Sequence, residues 1–286
     1  MKDSSTSPFI RSVVHATDLS GADESAFAHA LGIALLRQAK FTILHVTPNA
    51  SVADWSGFPA VRRTLERWKL LDPGSAQEDV FAKLGMKVGK LAIESRFAAL
   101  AVARHLDSQP ADLLVVATEG REGVARWLRG SVAEAMARWS QTMTLFVPAD
   151  AERTIVSPAD GNLTLKNVLI PVDHTPDASA AIKFARRAAE VMSDEKVTIT
   201  LLHIGDETAM PMVYAQDGPQ WTFARMHRDG DVVDEIVGAA ELIRADLVAM
   251  PTEGRNGVFD ALRGSTTERV LRRLRCPLLA VPAQHR

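Results

Sequence analysis

Several familiar signals are missing from this chain. Cys276 is the only cysteine among 286 residues, so an intrachain disulfide and a thiolate metal cluster are excluded. No apolar run approaches the roughly 20 residues that span a bilayer, and the opening stretch Met1–Pro8 lacks the apolar core of a signal peptide. The eight histidines show no zinc-binding spacing. We therefore expect a cytoplasmic protein with no membrane partner. No metal site is predicted, but His15 close to Asp18 and His174 beside Asp173 leave that alternative open.

The sequence also has no large excess of positive or negative charge. It has 33 Lys and Arg against 35 Asp and Glu, a formal net charge of −2, so we expect no sequence-independent binding to nucleic acid. The Gly-x-x-x-x-Gly-Lys-Ser/Thr, Gly-x-Gly-x-x-Gly and Gly-x-Ser-x-Gly motifs are absent. No nucleophile has an evident base beside it, so the sequence identifies no catalytic residue.

A repeated motif dominates what is present. Ala117-Thr-Glu-Gly-Arg-Glu-Gly123, closed by Gly130-Ser131, recurs 134 positions later as Pro251-Thr-Glu-Gly-Arg-Asn-Gly257, closed by Gly264-Ser265. Each copy follows an apolar run and leads to a helix start, where free N–H groups and the helix dipole favour an anion. Both serines also open Ser-x-x-Glu capping boxes that would fix the helix starts.

The order of elements predicts an α/β fold. Apolar runs that read as strands alternate with helical patterns, which indicates parallel sheets covered on both faces. Ser20 and Thr175 are expected to cap the helices after the first strand of each half. The polar stretch 149–166 marks the boundary, so residues 1–150 and 151–286 are predicted as two domains. The second is shorter, because it lacks the helices that follow the second strand of the first.

These landmarks resemble the universal stress protein family in its tandem two-domain form. Gly120 and Gly254, each followed after nine residues by Gly and Ser, match the loop of the nucleotide-binding members. Asp18 and Asp173, at the ends of the first strands, also match. The resemblance implies two five-stranded parallel sheets of order 3-2-1-4-5. It also implies that the halves pair about a pseudo-two-fold axis through their fifth strands; whether two chains then form a homodimer stays open.

The resemblance further implies ATP or AMP as the ligand. The aspartate would contact the adenosine end, a backbone group of the second strand would read adenine, and the glycine loop with the following helix would hold the phosphates. Carried onto this chain, the predicted nucleotide-binding residues are Thr17, Asp18, Val46, Ala117, Gly120, Arg121, Gly130, Ser131 and Val132 in the first half, and Asp173, Ile204, Gly254, Gly264, Ser265 and Thr266 in the second.

Departures from the family pattern favour the first site. Ala117 and Pro251 replace the first glycine, and proline adds a ring and removes an N–H donor.

Both halves also carry a glutamate directly before the loop glycine, Glu119 and Glu253. A carboxylate ~5 Å from a phosphate charge costs about 3 kcal/mol of binding free energy. Either a neighbouring arginine offsets that cost or Mg²⁺ bridges the carboxylate to the phosphates.

The same residues also have purely structural interpretations. Asp18 and Asp173 are either ligand contacts or acids at a helix entry, and Ser131 and Ser265 are caps whether or not they touch phosphate. His45 and His203 are predicted to be structural. We therefore expect a stress-response regulator that binds one adenine nucleotide, with a scaffold whose sites have decayed as the alternative. A slow ATP hydrolase that uses Asp18 or Glu119 is a third hypothesis.

Overall fold

The computed structural model describes residues 10–19, 23–49, 55–118, 142–252 and 266–283. Ten strands lie in these ranges: β1 Ser12–Thr17, β2 Lys40–Thr47, β3 Val88–Glu94, β4 Leu113–Thr118, β5 Met143–Pro148, β6 Asn167–Pro171, β7 Val197–Ile204, β8 Trp221–Arg228, β9 Leu247–Thr252 and β10 Leu278–Pro282. The α-helices are α1 Glu24–Arg37, α2 Val61–Arg67, α3 Asp79–Leu84, α4 Ala98–Ser108, α5 Ser179–Met192, α6 Val232–Leu242 and α7 Thr266–Leu271.

All ten strands form one sheet, in the order β3-β2-β1-β4-β5-β10-β9-β6-β7-β8. Within each half the strands are parallel, and β5 and β10 join the halves as an antiparallel pair with Leu279 opposite Leu145. The predicted five-stranded sheets of order 3-2-1-4-5 are therefore confirmed, and so is their pairing through the fifth strands.

The core lies on both faces of this sheet. Along β1, Val13 belongs to one buried cluster, while Val14 and Ala16 belong to the other. Because α1 and α5 cover one face and α4 and α6 cover the other, alternate residues of a strand are buried on opposite sides. This explains why the strands read as continuous apolar runs.

The helices after the first strands begin later than the sequence predicts. α1 starts at Glu24 with Asp23 at its N-cap position, and α5 starts at Ser179 with Ala178 there. Thr175 is therefore not the cap of α5, and Ser20 lies outside the described residues. Both helices are 14 residues long and start at equivalent places in the repeat, so the correction is the same in each half.

A carboxylate just before the fourth strand ties it to the first strand in each half, and it is half-buried at Asp112 and buried at Asp246. Asp112 Oδ2 accepts hydrogen bonds from the Arg11 and Ser12 N–H groups at 2.8 and 3.0 Å. Asp246 Oδ2 accepts from Lys166 and Asn167 N–H at 2.7 and 2.9 Å. Arg153 also donates to Asp246 Oδ1, at 2.8 and 3.0 Å.

The connection between the halves is packed against the first half. Ile155, Val156 and Leu165 are buried in the same core cluster as α1, so the stretch is not simply the polar connection that its composition suggests. Trp68, just after α2, donates from its indole Nε1 to Pro158 O at 3.0 Å, and Arg67 donates to the same oxygen at 2.9 Å. The extra helical segment of the first half therefore holds the linker.

None of the helices in the described ranges is both long and apolar enough to cross a bilayer.

Candidate functional site

The candidate site lies where the carboxyl ends of β1, β2 and β4 meet. Thr17 pairs with His45 on β2, and Ala16 pairs with Val116 on β4. Asp18, Val46 and Ala117 each follow these paired residues, so the register brings the three predicted contacts to one edge of the sheet. From β1 the chain continues to β2 on one side, and it later enters β4 on the other side of β1. The topological switch point, where open α/β sheets bind ligands, therefore lies between β1 and β4.

A tight turn presents Asp18 at this edge. Thr17 is buried, and its Oγ1 accepts a hydrogen bond from Leu19 N–H at 2.8 Å, while Leu19 takes a left-handed φ of 64°. The His45 ring donates from Nδ1 to Thr17 O at 2.9 Å. The side chain of Asp18 is exposed between these two fixed residues.

The second half repeats the arrangement. His203 donates from Nδ1 to Val172 O at 3.2 Å, one residue before the exposed Asp173. The prediction that His45 and His203 are structural is confirmed, because each ring fixes the carbonyl that precedes the aspartate. Asp173 Oδ1 also accepts the N–H of His174 at 2.7 Å.

The segment after β7 lies against the end of β6. His174, directly after Asp173, contacts Ala209 O through Nε2 at 3.1 Å. His203 Nε2 lies 3.1 Å from Asp206 O, and the His227 ring contacts Gly205 O. Met210, Val213 and Ala215 then pack against the core. We define residues 205–220 as the strap of the second half. It places the chain's own residues beside the strand ends where a ligand of that half would lie.

Charge at the strap comes from exposed carboxylates. The hydroxyl and the N–H of Thr208 both donate to Asp206, and they hold the pKa of that carboxyl below its usual value. Such a group stays ionised at neutral pH and disfavours a phosphate nearby.

The fourth strands lead to the glycine loops. Ala117 is half-buried near the end of β4, whereas Pro251 is buried in β9 opposite Val281. Ala149 and Ala283 donate to the carbonyls of Thr118 and Thr252, each at 2.8 Å, so both strand ends are fixed alike. Ile204 ends β7, and Thr266 opens α7. The remaining predicted contacts lie outside the described residues: Gly120, Arg121, Gly130, Ser131, Val132, Gly254, Gly264 and Ser265.

No group of three or more His, Cys, Asp or Glu side chains among the described residues is arranged to hold an ion. The single thiol is buried, and burial raises the pKa of Cys276 to about 12, so it stays protonated and unreactive at neutral pH.

Sequence reasoning missed the histidines that hold the strap. His174 was noted only for its place beside Asp173, and His227 was not singled out. Both contact backbone carbonyls of the strap, whose one regular element among residues 205–220 is the 3-10 helix Glu207–Ala209, and such a contact leaves no periodic signal. Asp112 and Asp246, by contrast, could have been found from the sequence repeat, because Ala-Asp-Leu recurs at 111–113 and 245–247.

Comparisons with known proteins agree with the fold. A model of the universal stress protein family matches residues 10–148 and 222–282. A universal stress protein of Methanocaldococcus jannaschii is 26% identical over 145 residues, covering 43% of this chain and 85% of its own length.

Solved structures are similar over nearly the whole chain. A universal stress protein from Archaeoglobus fulgidus superposes with a TM-score of 0.60 at 17% identity, covering 96% of this chain and 99% of its own. A functionally unknown protein from Pseudomonas aeruginosa gives 0.58 at 15% identity, covering 95% and 92%. At these identities the likeness shows the tandem fold.

Proposed function

The chain belongs to the universal stress protein family, and we propose that it binds one adenine nucleotide, ATP or AMP, at the strand ends of its first half. In this proposal it acts as a regulator in the stress response whose state changes with the ligand. The observation that carries the proposal is the exposed Asp18, held at the switch point by the Thr17–Leu19 turn and the His45 bond.

Asp18 suits the sugar end of a nucleotide. A carboxylate accepts hydrogen bonds from ribose hydroxyls, and the turn fixes its position before the ligand arrives, which lowers the ordering cost of binding. Val46, one strand away, supplies the backbone position that would read adenine. The loop from Gly120 to Ser131 would then receive the phosphates at the start of the following helix.

The second half is the weaker candidate. The strap lies beside Asp173 through the His174–Ala209 contact, and Asp173 already accepts the N–H of His174. Pro251 offers no N–H donor at the end of β9. Asp260 also stands where the first half has Arg126, so the sequence supplies a carboxylate in place of a cation. These features support one ligand per chain.

Thermal unfolding with MgATP, with AMP and without ligand tests the proposal. Ligand at ~100 times its dissociation constant adds about 2.7 kcal/mol of stability, because it binds only the folded state. We expect an upward shift in Tm for the wild type and a much smaller one for Asp18→Asn, which keeps the size of the side chain but not its charge. No shift with either nucleotide at millimolar concentration would contradict nucleotide binding and favour the scaffold.

A further inference from the structure

His29 on α1 is buried between the first half and the linker, and both of its ring nitrogens are engaged. Nδ1 donates to Ser25 O at 2.7 Å. Nε2 lies 3.0 Å from Ile155 N and 3.4 Å from Val156 N. Backbone amides only donate, so Nε2 must be the unprotonated acceptor of both bonds.

A proton on Nε2 would turn this acceptor into a donor facing two donors. Because the ring is fully buried, bulk solvent cannot replace these bonds, so the linker amides would lose their partner. Burial accordingly lowers the pKa of His29 to about 4, and the bond to Ser25 O opposes this only in part.

The other charged or titratable groups on the elements packed against α1, and on the linker, have partners of their own or are exposed. Asp23 lies 3.5 Å from His15 on β1, Glu24 pairs with Arg67 of α2, and Arg153 of the linker pairs with Asp246. On β2, His45 is bonded to Thr17 O and Lys40 is exposed. The residues of β4 and β5 carry no charge.

We propose that His29 is an acid-sensitive latch for the linker between the halves. The neutral ring holds residues 155 and 156 against α1, and protonation of Nε2 releases them. The second half has Phe184 at the same place in its helix, 155 positions on, so the latch belongs to the first half alone. This inference does not depend on nucleotide binding.

The sign of the effect follows from linkage. The pKa of His29 is about 4 when the linker is docked and 6.5 for a solvated imidazole, so docking is fully favoured above pH 6.5 and weakens as the pH falls toward 4. The docking equilibrium should fall about 300-fold in total between pH values well above 6.5 and well below 4, since the two pKa values differ by about 2.5 and each pKa unit is a factor of ten. Between pH 7.5 and 4 the same pKa values give a fall of roughly 140-fold. Burial of Ile155 and Leu165 and the Trp68–Pro158 bond oppose release but do not change with this proton.

Hydrogen exchange of the Ile155 and Val156 amides between pH 7.5 and 4 tests the latch, after correction for intrinsic exchange. We expect their protection to fall through this range while amides of β7 stay protected. His29→Gln supplies an acceptor that does not titrate and should remove the pH dependence. His29→Phe should lower protection at every pH, and His105→Gln, on α4, should behave like the wild type.

Three results would overturn the proposal: protection that is unchanged at pH 4, protection lost in step with β7, or His29→Gln following the wild type. If His29→Gln does not fold, the ring nitrogens of His29 can be titrated by NMR in the wild type. Titration near pH 4 together with the linker amides supports the latch, and titration near 6.5 with the linker still protected contradicts it.

Discussion

Among single residues, the largest difference between the halves lies between the first strand and the helix after it. The second half is apolar there, whereas the first half buries two histidines and an aspartate. The equivalent positions are His15 and Ile170, Asp23 and Ala178, and His29 and Phe184. Burying polar groups is favourable only when they are paired. His29 is paired with the linker, which explains why the first half keeps a polar side chain at that position.

The two strand-tying aspartates allow a matched test of one residue. Asp246→Ala removes the side-chain oxygen that accepts from two backbone N–H groups and also strips Arg153 of its partner, so we expect a loss of about 3 kcal/mol in the free energy of unfolding. Asp112→Ala removes only hydrogen bonds and should cost about 1–2 kcal/mol. Urea denaturation of both variants measures the difference. Equal losses would show that Arg153 adds nothing to the stability.

The role of a single residue could be predicted from the sequence where its position in a repeated motif indicated that role. His45 and His203 were predicted to be structural from their places at the strand ends, and their bonds to the preceding carbonyls confirm this. The contacts of His29 and His174 could not be predicted from the sequence, because their partners are backbone atoms of distant segments. Such pairs follow from the tertiary fold and not from local spacing.

Among elements, α2 and the linker form a contact that composition did not predict. Gly161 has a left-handed φ of 75°, and a Cβ there would lie 2.5 Å from the Trp68 ring. The polar residues around Gly161 made the stretch look like a free connection. The buried Ile155 and Leu165 on either side are what attach it to the first half.

Gly161→Ala tests this contact, with Gly74→Ala as its control. Both glycines have a similar positive φ, 75° and 79°, but a Cβ at Gly74 meets nothing within 4 Å. Backbone strain alone should cost about 1–2 kcal/mol at either position. The clash with Trp68 should add about 1–3 kcal/mol at Gly161. Thermal or urea unfolding of the two variants would refute the contact if their losses were the same.

The starts of α1 and α5 show the limit of local signals for elements. Ser20 and Thr175 have the chemistry of N-caps, yet the described helices begin at Glu24 and Ser179. Strands are easier to locate in the sequence, because continuous apolar runs report burial on both faces. Helix starts depend on how the chain leaves the strand, and in the first half it leaves through the Thr17–Leu19 turn.

At the scale of the whole molecule, the two halves share one sheet because β5 and β10 pair. The resemblance to the family implied the strand order within each half, and the pairing joins the two sheets across the chain. The halves have nevertheless diverged at the same edge of their sheets. Helices α2 and α3 follow β2 in the first half, while the strap follows β7 in the second. The fold is therefore symmetric, and the proposed ligand site is not.

Ligand stoichiometry tests this asymmetry most directly. Isothermal titration with AMP, and with MgATP, should give one nucleotide per chain for the wild type. Asp173→Ala should leave binding unchanged, and Asp18→Ala should abolish or greatly weaken it. Two nucleotides per chain, or loss of binding in Asp173→Ala with Asp18→Ala unaffected, would contradict the assignment of the site to the first half.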